Sequence, residues 1–234
     1  MKNLVKKACA DIGINLSDSQ AEKFEKYYKL LIEWNEKINL TRIVEPEEVA
    51  VKHFADSLAV TKYFDIPENA SLIDVGTGAG FPGIPLKIFR EDINLTLLDS
   101  LNKRLNFLNT VAEKIGIDVN TVHSRAEDAG KDNAQRESYD IAISRAVARL
   151  NTLCEYCMPL VKVGGSFIAM KAADYKEELK EAENAVKILG GEVISVNEFN
   201  LEGAGERALI VIRKKEDTPD KYPRAGKKIK NKPL

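Results

Sequence analysis

The chain has 234 residues, of which 44% are hydrophobic and 30% charged, and its formal net charge is −1. This composition is typical of a globular protein with one main domain, and it excludes a disordered or collagen-like chain. No apolar run approaches the roughly 18 residues of a membrane helix. Because no long apolar segment opens the chain either, we expect a cytoplasmic protein with no membrane partner.

Cysteine and histidine are scarce, with three and two copies. Cys154 and Cys157 have the C-x-x-C spacing, but they fall within a predicted helix and no second pair exists. A zinc site needs about four such ligands, so the sequence predicts packed thiols and no metal.

Residues 1–68 predict a helical N-terminal cap. Ser17 is a candidate N-cap, and apolar side chains then recur at helical spacing from Phe24 to Trp34. A further helix is predicted from Pro46 to Leu58. We interpret His53 in that helix as structural rather than catalytic, because no cysteine or serine nucleophile motif accompanies it.

The stretch Ser71–Gly83 reads S-L-I-D-V-G-T-G-A-G-F-P-G. Its apolar start predicts a strand buried on both faces. The alternating glycines let the backbone turn tightly and approach a ligand. A helix is predicted over Gly83–Arg90, and its N-terminus would direct free N–H groups at the loop. Strand, loop and helix together predict a ligand cradle.

Two registers of these glycines predict different ligands. From Asp74 they match D-x-G-x-G-x-G, the pattern of S-adenosylmethionine (SAM) methyltransferases; from Gly78 they match the dinucleotide pattern G-x-G-x-x-G. Phe81-Pro82 removes an N–H and adds bulk where a pyrophosphate would bind, and SAM has no phosphate. The loop therefore favours SAM, with S-adenosyl-L-homocysteine as product. A glycine turn without a ligand is the remaining alternative.

The next elements predict the rest of the cradle. Asp99 closes a strand that begins at Asn94, where an acid would hold ribose hydroxyls. A helix is predicted over Leu101–Lys114 and a third strand over Val119–His123. Ala126 and Glu127 follow that strand, and they either flank an adenine ring or form an exposed turn. The residues favour neither.

Arg145 lies just past a fourth predicted strand, Tyr139–Ser144, where it would face the reactive carbon. A helix over Ala146–Met158 and a fifth strand ending at Lys171 follow, and the pattern closes with a helix, Tyr175–Leu189, and a hairpin, Val193–Phe199 with Arg207–Ile212. Seven strands alternating with helices in this way predict an α/β fold of class I SAM-dependent methyltransferase type. We expect a Rossmann-like, mostly parallel sheet over residues 69–213, with helices on both faces.

Residues 214–234 form a basic C-terminal tail. From Arg213 to Leu234 there are nine lysines and arginines against three acids, which gives +6 and leaves −7 for the rest. Such a tail indicates either a polyanionic partner or a solvated segment that aids solubility.

The atom that accepts the methyl group can be inferred in part from catalytic motifs that the sequence lacks. Methylation of pyrimidine carbon 5 needs a cysteine at a strand end, and methylation of an exocyclic amine usually goes with D/N-P-P-Y/F after the fourth strand; here that place holds S144-R-A-V147. Guanine N7 carries an exposed lone pair and needs no general base. A site without base, nucleophile or metal suits it.

Several motifs together resemble the RsmG (GidB) family along essentially the whole chain. They are W34-N-E-K-I-N-L-T41, K52-H-F-A-D-S-L58, D74-V-G-T-G-A-G-F-P-G-I-P85, L98-D-S-L-N-K-R104, R125-A-E-D128, S144-R-A-V-A-R-L150 and K221-Y-P-R-A-G226. The tail departs slightly, with A225-G-K-K where relatives often have K-P-G-T-P.

The resemblance implies a bacterial 16S rRNA methyltransferase acting on N7 of guanine 527, in the 530 loop of the small subunit. It implies that Arg145 lies at the junction of cofactor and substrate, and that the cofactor is bound by Asp74, Gly76, Gly78, Phe81, Asp99, Ser100, Leu101, Ala126, Glu127 and Arg145. The expected partner is 16S rRNA, in the 30S subunit or its precursor, and we expect a monomer.

We hypothesise that Arg145 is the catalytic residue, positioning the guanine or its phosphate. The predicted RNA-backbone contacts are Lys171, Arg207, Lys221 and Arg224. Two alternatives remain: a nicotinamide-dependent oxidoreductase, and a non-enzymatic RNA-binding assembly factor that keeps SAM as a structural ligand.

Overall fold

The computed structural model describes residues 1–234, and it begins with a helical segment. The capping prediction is confirmed, because the Ser17 hydroxyl accepts the Gln20 N–H at 3.1 Å and the Gln20 side chain accepts the Ser17 N–H at 2.9 Å. The helices of this segment are α1 (Lys2–Asp11), α2 (Asp18–Ile38), α3 (Pro46–Val49), a π-helical turn (Ala50–Ala55), α4 (Asp56–Leu58) and α5 (Val60–Tyr63).

A seven-stranded sheet in the order β3-β2-β1-β4-β5-β7-β6 forms the centre of the molecule. The first five strands run parallel and β7 is antiparallel to both of its neighbours. The predicted sheet is thereby confirmed. Its strands are β1 (Ser71–Val75), β2 (Asn94–Asp99), β3 (Asn120–His123), β4 (Tyr139–Arg145), β5 (Val161–Ala172), β6 (Gly191–Leu201) and β7 (Gly205–Lys214).

Helices cover both faces of the sheet. They are α6 (Gly83–Phe89), α7 (Asn102–Ile115), α8 (Ala126–Ala129), α9 (Leu150–Cys157), a 3-10 turn (Met158–Leu160), α10 (Tyr175–Ile188) and α11 (Gly226–Asn231). Several predicted boundaries were wrong: β5 already begins at Val161, and both hairpin strands extend two residues further at each end. The helix after β4 begins at Leu150, not Ala146, because residues 146–149 form a loop in which Ala146 has a φ of +57°. Leu101 precedes α7 and is 42% exposed.

Two hydrophobic cores lie on opposite faces of the sheet. The first joins the N-terminal segment to α6 and α7, with Phe24, Tyr27 and Phe54 fully buried. The second packs α9 and α10 on the other face, and it includes Tyr222 and Ile229 from the basic tail. The tail is therefore packed against the domain. None of the helices combines the length and the apolar character that spanning a bilayer requires.

Candidate functional site

A cavity of about 620 Å³ opens where β1, β2 and β4 end. In a doubly wound sheet this edge is where ligands bind. Its wall includes the loops after the three strands, Ala126 and Glu127 of α8, Thr152 and Tyr156 of α9, and Lys230 of the tail. The N-terminal segment completes the wall with Leu40, Thr41 and His53.

Asp74, predicted to contact a cofactor, lies beneath the glycine loop instead of in the cavity wall. It is 0% exposed, and its Oδ2 accepts the Thr77 hydroxyl at 2.7 Å and the Gly83 N–H at 2.9 Å. Its Oδ1 has no partner. Burial raises the pKa of this carboxyl to about 6. Asp74 thus binds the first N–H of α6 and fixes the loop from below.

The glycines of the loop differ in their surroundings. A Cβ on Gly80 would lie 2.7 Å from Leu108 Cδ2 and 2.7 Å from the Tyr27 hydroxyl, so Gly80 is needed for packing. A Cβ on Gly78 would meet nothing nearer than 3.9 Å, although its φ is +60°. Since Gly78 lines the cavity, its open side is available to a ligand.

Asp99 closes β2 as predicted and borders the cavity. Its Oδ2 accepts the Gly78 N–H at 3.0 Å and Arg104 at 3.2 Å, and its Oδ1 accepts the Leu101 N–H at 2.9 Å. These bonds fix the carboxylate and leave one lone pair, on Oδ1, for a ligand hydroxyl. Ser100 lines the cavity beside it, whereas Leu101 does not.

Arg145 reaches into the cavity from the end of β4 and is held by the N-terminal segment. Its guanidinium donates to Asp56 Oδ2 at 2.6 Å and to the Lys52 carbonyl at 3.2 Å, and lies 5.1 Å from the Phe81 ring centre. Asp56, 3% exposed, also accepts Arg207 at 2.8 Å on its other oxygen. One buried carboxylate therefore orients two arginines.

His53 lines the cavity and completes this group. Its ring stacks on Phe81 at 4.4 Å, its Nδ1 lies 3.2 Å from the Lys52 carbonyl oxygen and 3.4 Å from Arg145 Nη2, and its Nε2 lies 2.9 Å from the Thr41 hydroxyl. Burial and the Arg145 charge lower its pKa to about 3, so the imidazole is neutral. Both ring nitrogens are engaged, which agrees with a structural role.

Ala126 and Glu127 both line the cavity, where α8 begins. Glu127 is 8% exposed and packs so closely against Gly226 of the tail that a Cβ there would overlap its carboxylate. Eight of the ten predicted cofactor-binding residues thus lie in one wall; Asp74 and Leu101 do not.

The profile of one protein family, described as rRNA small subunit methyltransferase G (GidB), matches residues 20–210. Relatives named ribosomal RNA small subunit methyltransferase G match almost end to end. The relative from Desulforamulus reducens is 50% identical, covering 98% of this chain and 97% of its own. That from Clostridium beijerinckii is 52% identical, covering 99% and 98%.

The chain belongs to this family. Solved structures agree on the fold alone. A SAM-dependent methyltransferase from Aquifex aeolicus gives a TM-score of 0.53 at 18% identity, covering 71% of this chain and 93% of that one. The YcgJ protein of Bacillus subtilis gives 0.54 at 13%, covering 70% and 100%. The predicted class I methyltransferase fold is confirmed.

Three of the four residues predicted to bind RNA backbone are engaged inside the protein. Lys171 pairs with Glu178 at 2.6 Å and donates to the Ala148 carbonyl at 2.7 Å; its side chain is only 9% exposed. Arg207 is held by Asp56. Arg224 forms two bonds to the fully buried Glu155, at 2.8 and 2.6 Å. Only Lys221 is exposed, over the ring of Tyr222.

The two spaced cysteines are packed thiols. Cys154 and Cys157 are fully buried on α9 and neither lines the cavity. Burial raises the pKa of Cys154 to about 12 and that of Cys157 well above its usual value. Both therefore stay protonated and unreactive.

Proposed function

We propose that this protein transfers a methyl group from SAM to N7 of a guanine in small-subunit rRNA. The family and the names of its relatives support methylation of this RNA. The resemblance of the motifs supports guanine 527 as the nucleotide. The observation that supports this chemistry is a cavity with a glycine loop, a fixed acid and an oriented arginine, but no cysteine nucleophile.

The cavity residues fit SAM better than a dinucleotide. Pyrophosphate sites use free N–H groups at a helix N-terminus. Here the first N–H of α6 already binds Asp74, and an anion at this end would approach a buried carboxylate. Asp99 keeps one acceptor site for a ribose hydroxyl, and Gly78 leaves open space beside it. When bound, SAM supplies a methyl carbon activated by its sulfonium.

Guanine N7 suits the remaining groups. His53 has both nitrogens occupied and is neutral, and the thiols lie outside the cavity. The carboxylate nearest to Arg145, Asp56, already accepts two arginines, whereas N7 presents a lone pair directly and needs no base. Arg145 donates to a guanine or phosphate oxygen and aligns N7 with the methyl carbon, and Phe81 excludes water.

Two measurements test the proposal. Calorimetry should show S-adenosyl-L-homocysteine binding and no comparable binding of NAD; the reverse result would exclude SAM. Mapping of N7-methylguanine in rRNA from a strain without the protein should show loss of methylation at one guanine. Unchanged methylation there would exclude the acceptor assignment.

Arg145→Ala should abolish methyl transfer and leave the binding of S-adenosyl-L-homocysteine largely intact. Arg149→Ala is the matched control, because Arg149 lies in the same loop but pairs with Glu181 on α10 and does not line the cavity. If Arg145→Ala transferred methyl groups at the same rate as Arg149→Ala, Arg145 would have no role in the reaction.

A further inference from the structure

The residues after β7, 215–234, form a C-terminal arm with an unusual distribution of charge. Its lysines 221, 227, 228, 230 and 232 are exposed and form no ion pair with any carboxylate. Lys215 and Arg224, in contrast, are paired with Glu192 and Glu155. The arm's unbalanced positive charge is therefore concentrated on a small set of free ammonium groups.

The arm has a fixed position on the domain. Arg136 donates to the Thr218 carbonyl at 2.5 Å and to the Tyr222 carbonyl at 2.8 Å. Ile229 of α11 is fully buried in the second core. Because these anchors hold the chain on both sides of Arg224, the lysines are displayed on an ordered surface.

This surface begins at the rim of the cavity. Lys230 forms part of the cavity wall, and Gly226 lies against Glu127 inside it. Arg125, also exposed, lines the same opening. Positive charge therefore borders the opening of the cavity, on a protein whose other residues are net acidic.

We propose that the C-terminal arm binds rRNA phosphates flanking the target guanine, through Lys227, Lys228, Lys230 and Lys232. The choice of RNA rests on the proposed function. Lysine is a point charge that contacts phosphate without reading sequence. A membrane surface fits poorly, because the apolar residues Tyr222 and Ile229 face the core and leave nothing to insert. The arm thus anchors the RNA backbone while the cavity selects the base.

The test compares two variants of equal charge. One replaces lysines 227, 228, 230 and 232 with glutamine. The control replaces lysines 7, 26, 180 and 187, which are exposed and unpaired on α1, α2 and α10, away from the cavity. Filter binding to a transcript of small-subunit rRNA is measured over a range of salt concentrations.

Loss of four phosphate contacts should reduce the slope of log K against log salt by about 3, at about 0.7–0.9 per contact. The control should keep the wild-type slope. An unchanged slope in the arm variant, or an equal reduction in the control, would overturn the inference. A variant with only Lys227→Gln and Lys228→Gln should lose about half as much, and it covers the case in which four changes impair folding.

Methyl transfer by the wild type separates this inference from the proposed function. If the wild type transfers no methyl group but the arm variant shows the reduced slope of log K against log salt, the proposed function fails and the RNA-binding surface stands. If the wild type methylates rRNA and the arm variant binds with an unchanged slope, only the surface is wrong.

Discussion

Replacing Asp56 by asparagine tests whether a buried carboxylate positions Arg145. Asp56 accepts Arg145 at 2.6 Å and Arg207 at 2.8 Å, and is 3% exposed. The asparagine side chain keeps one acceptor oxygen but turns an N–H₂ group toward the other arginine. Breaking a buried ion pair costs about 3–5 kcal/mol. The arginines are 14% and 21% exposed and one hydrogen bond survives, so we expect a loss of about 2 kcal/mol.

For a chain of this length, that loss corresponds to a fall in melting temperature of about 4–8 °C. The larger effect should be on catalysis. A guanidinium displaced by about 1 Å from the acceptor base lowers the rate about 100-fold. Methyl transfer should fall by that factor, while S-adenosyl-L-homocysteine binding, measured by calorimetry, changes little.

Arg207→Gln is the matched control for Asp56→Asn. It removes the outer arginine but leaves Arg145 paired with Asp56, so we expect methyl transfer within a few-fold of wild type. A folded Asp56→Asn variant that methylates rRNA at the wild-type rate would refute the positioning argument. So would an equal loss of rate in the control.

Three further predictions concern the loop, the histidine and the arm. Gly78→Ala and Gly116→Ala both place alanine at positive φ, +60° and +68°, with no atom nearer than 3.9 Å to the added Cβ. Each should therefore lower the free energy of unfolding, measured in urea, by about 1–2 kcal/mol. Only Gly78→Ala should weaken the binding of S-adenosyl-L-homocysteine, and equal binding by both variants would refute an open ligand side at Gly78. His53 has a folded pKa of about 3, below its usual value near 6.5, so its stabilising contribution is complete above pH ~6.5 and is lost as the pH falls toward 3. The stability advantage of wild type over His53→Gln should therefore shrink between pH 7 and 4, and a constant difference would contradict a buried neutral histidine. Glu155→Gln should release Arg224 and expose the arm to trypsin, whereas Glu181→Gln, at an exposed pair, should not; equal cleavage of both would mean that Glu155 does not anchor the arm.

The strands and the glycine loop were predictable because their signals are local. Apolar runs such as Leu72–Ile73 and the spacing of glycines depend only on neighbouring residues. Boundaries were less secure after β4. The apolar pattern of residues 146–158 continues through Ala146 and Val147, yet Ala146 takes a left-handed φ and the helix starts only at Leu150.

The pairing of charges could not be predicted, because it depends on how separate elements pack against one another. Lys171 and Arg224 look like free cations in the sequence. Their partners, Glu178 and Glu155, lie on α10 and α9 and become neighbours only after folding. For the same reason Asp56, 89 residues from Arg145, could not be assigned to its site.

The position of Asp74 bears on which of the two cofactor classes the glycine loop can hold. In a site for pyrophosphate, the N-terminus of the following helix must remain free to bind anionic oxygen. Here a carboxylate at the end of β1 binds the first N–H of α6 and the Thr77 hydroxyl from beneath. The helix end is thereby already bound to an anion, and a second negative group would be repelled across a short, buried distance. A cofactor without phosphate, as proposed above, avoids that repulsion.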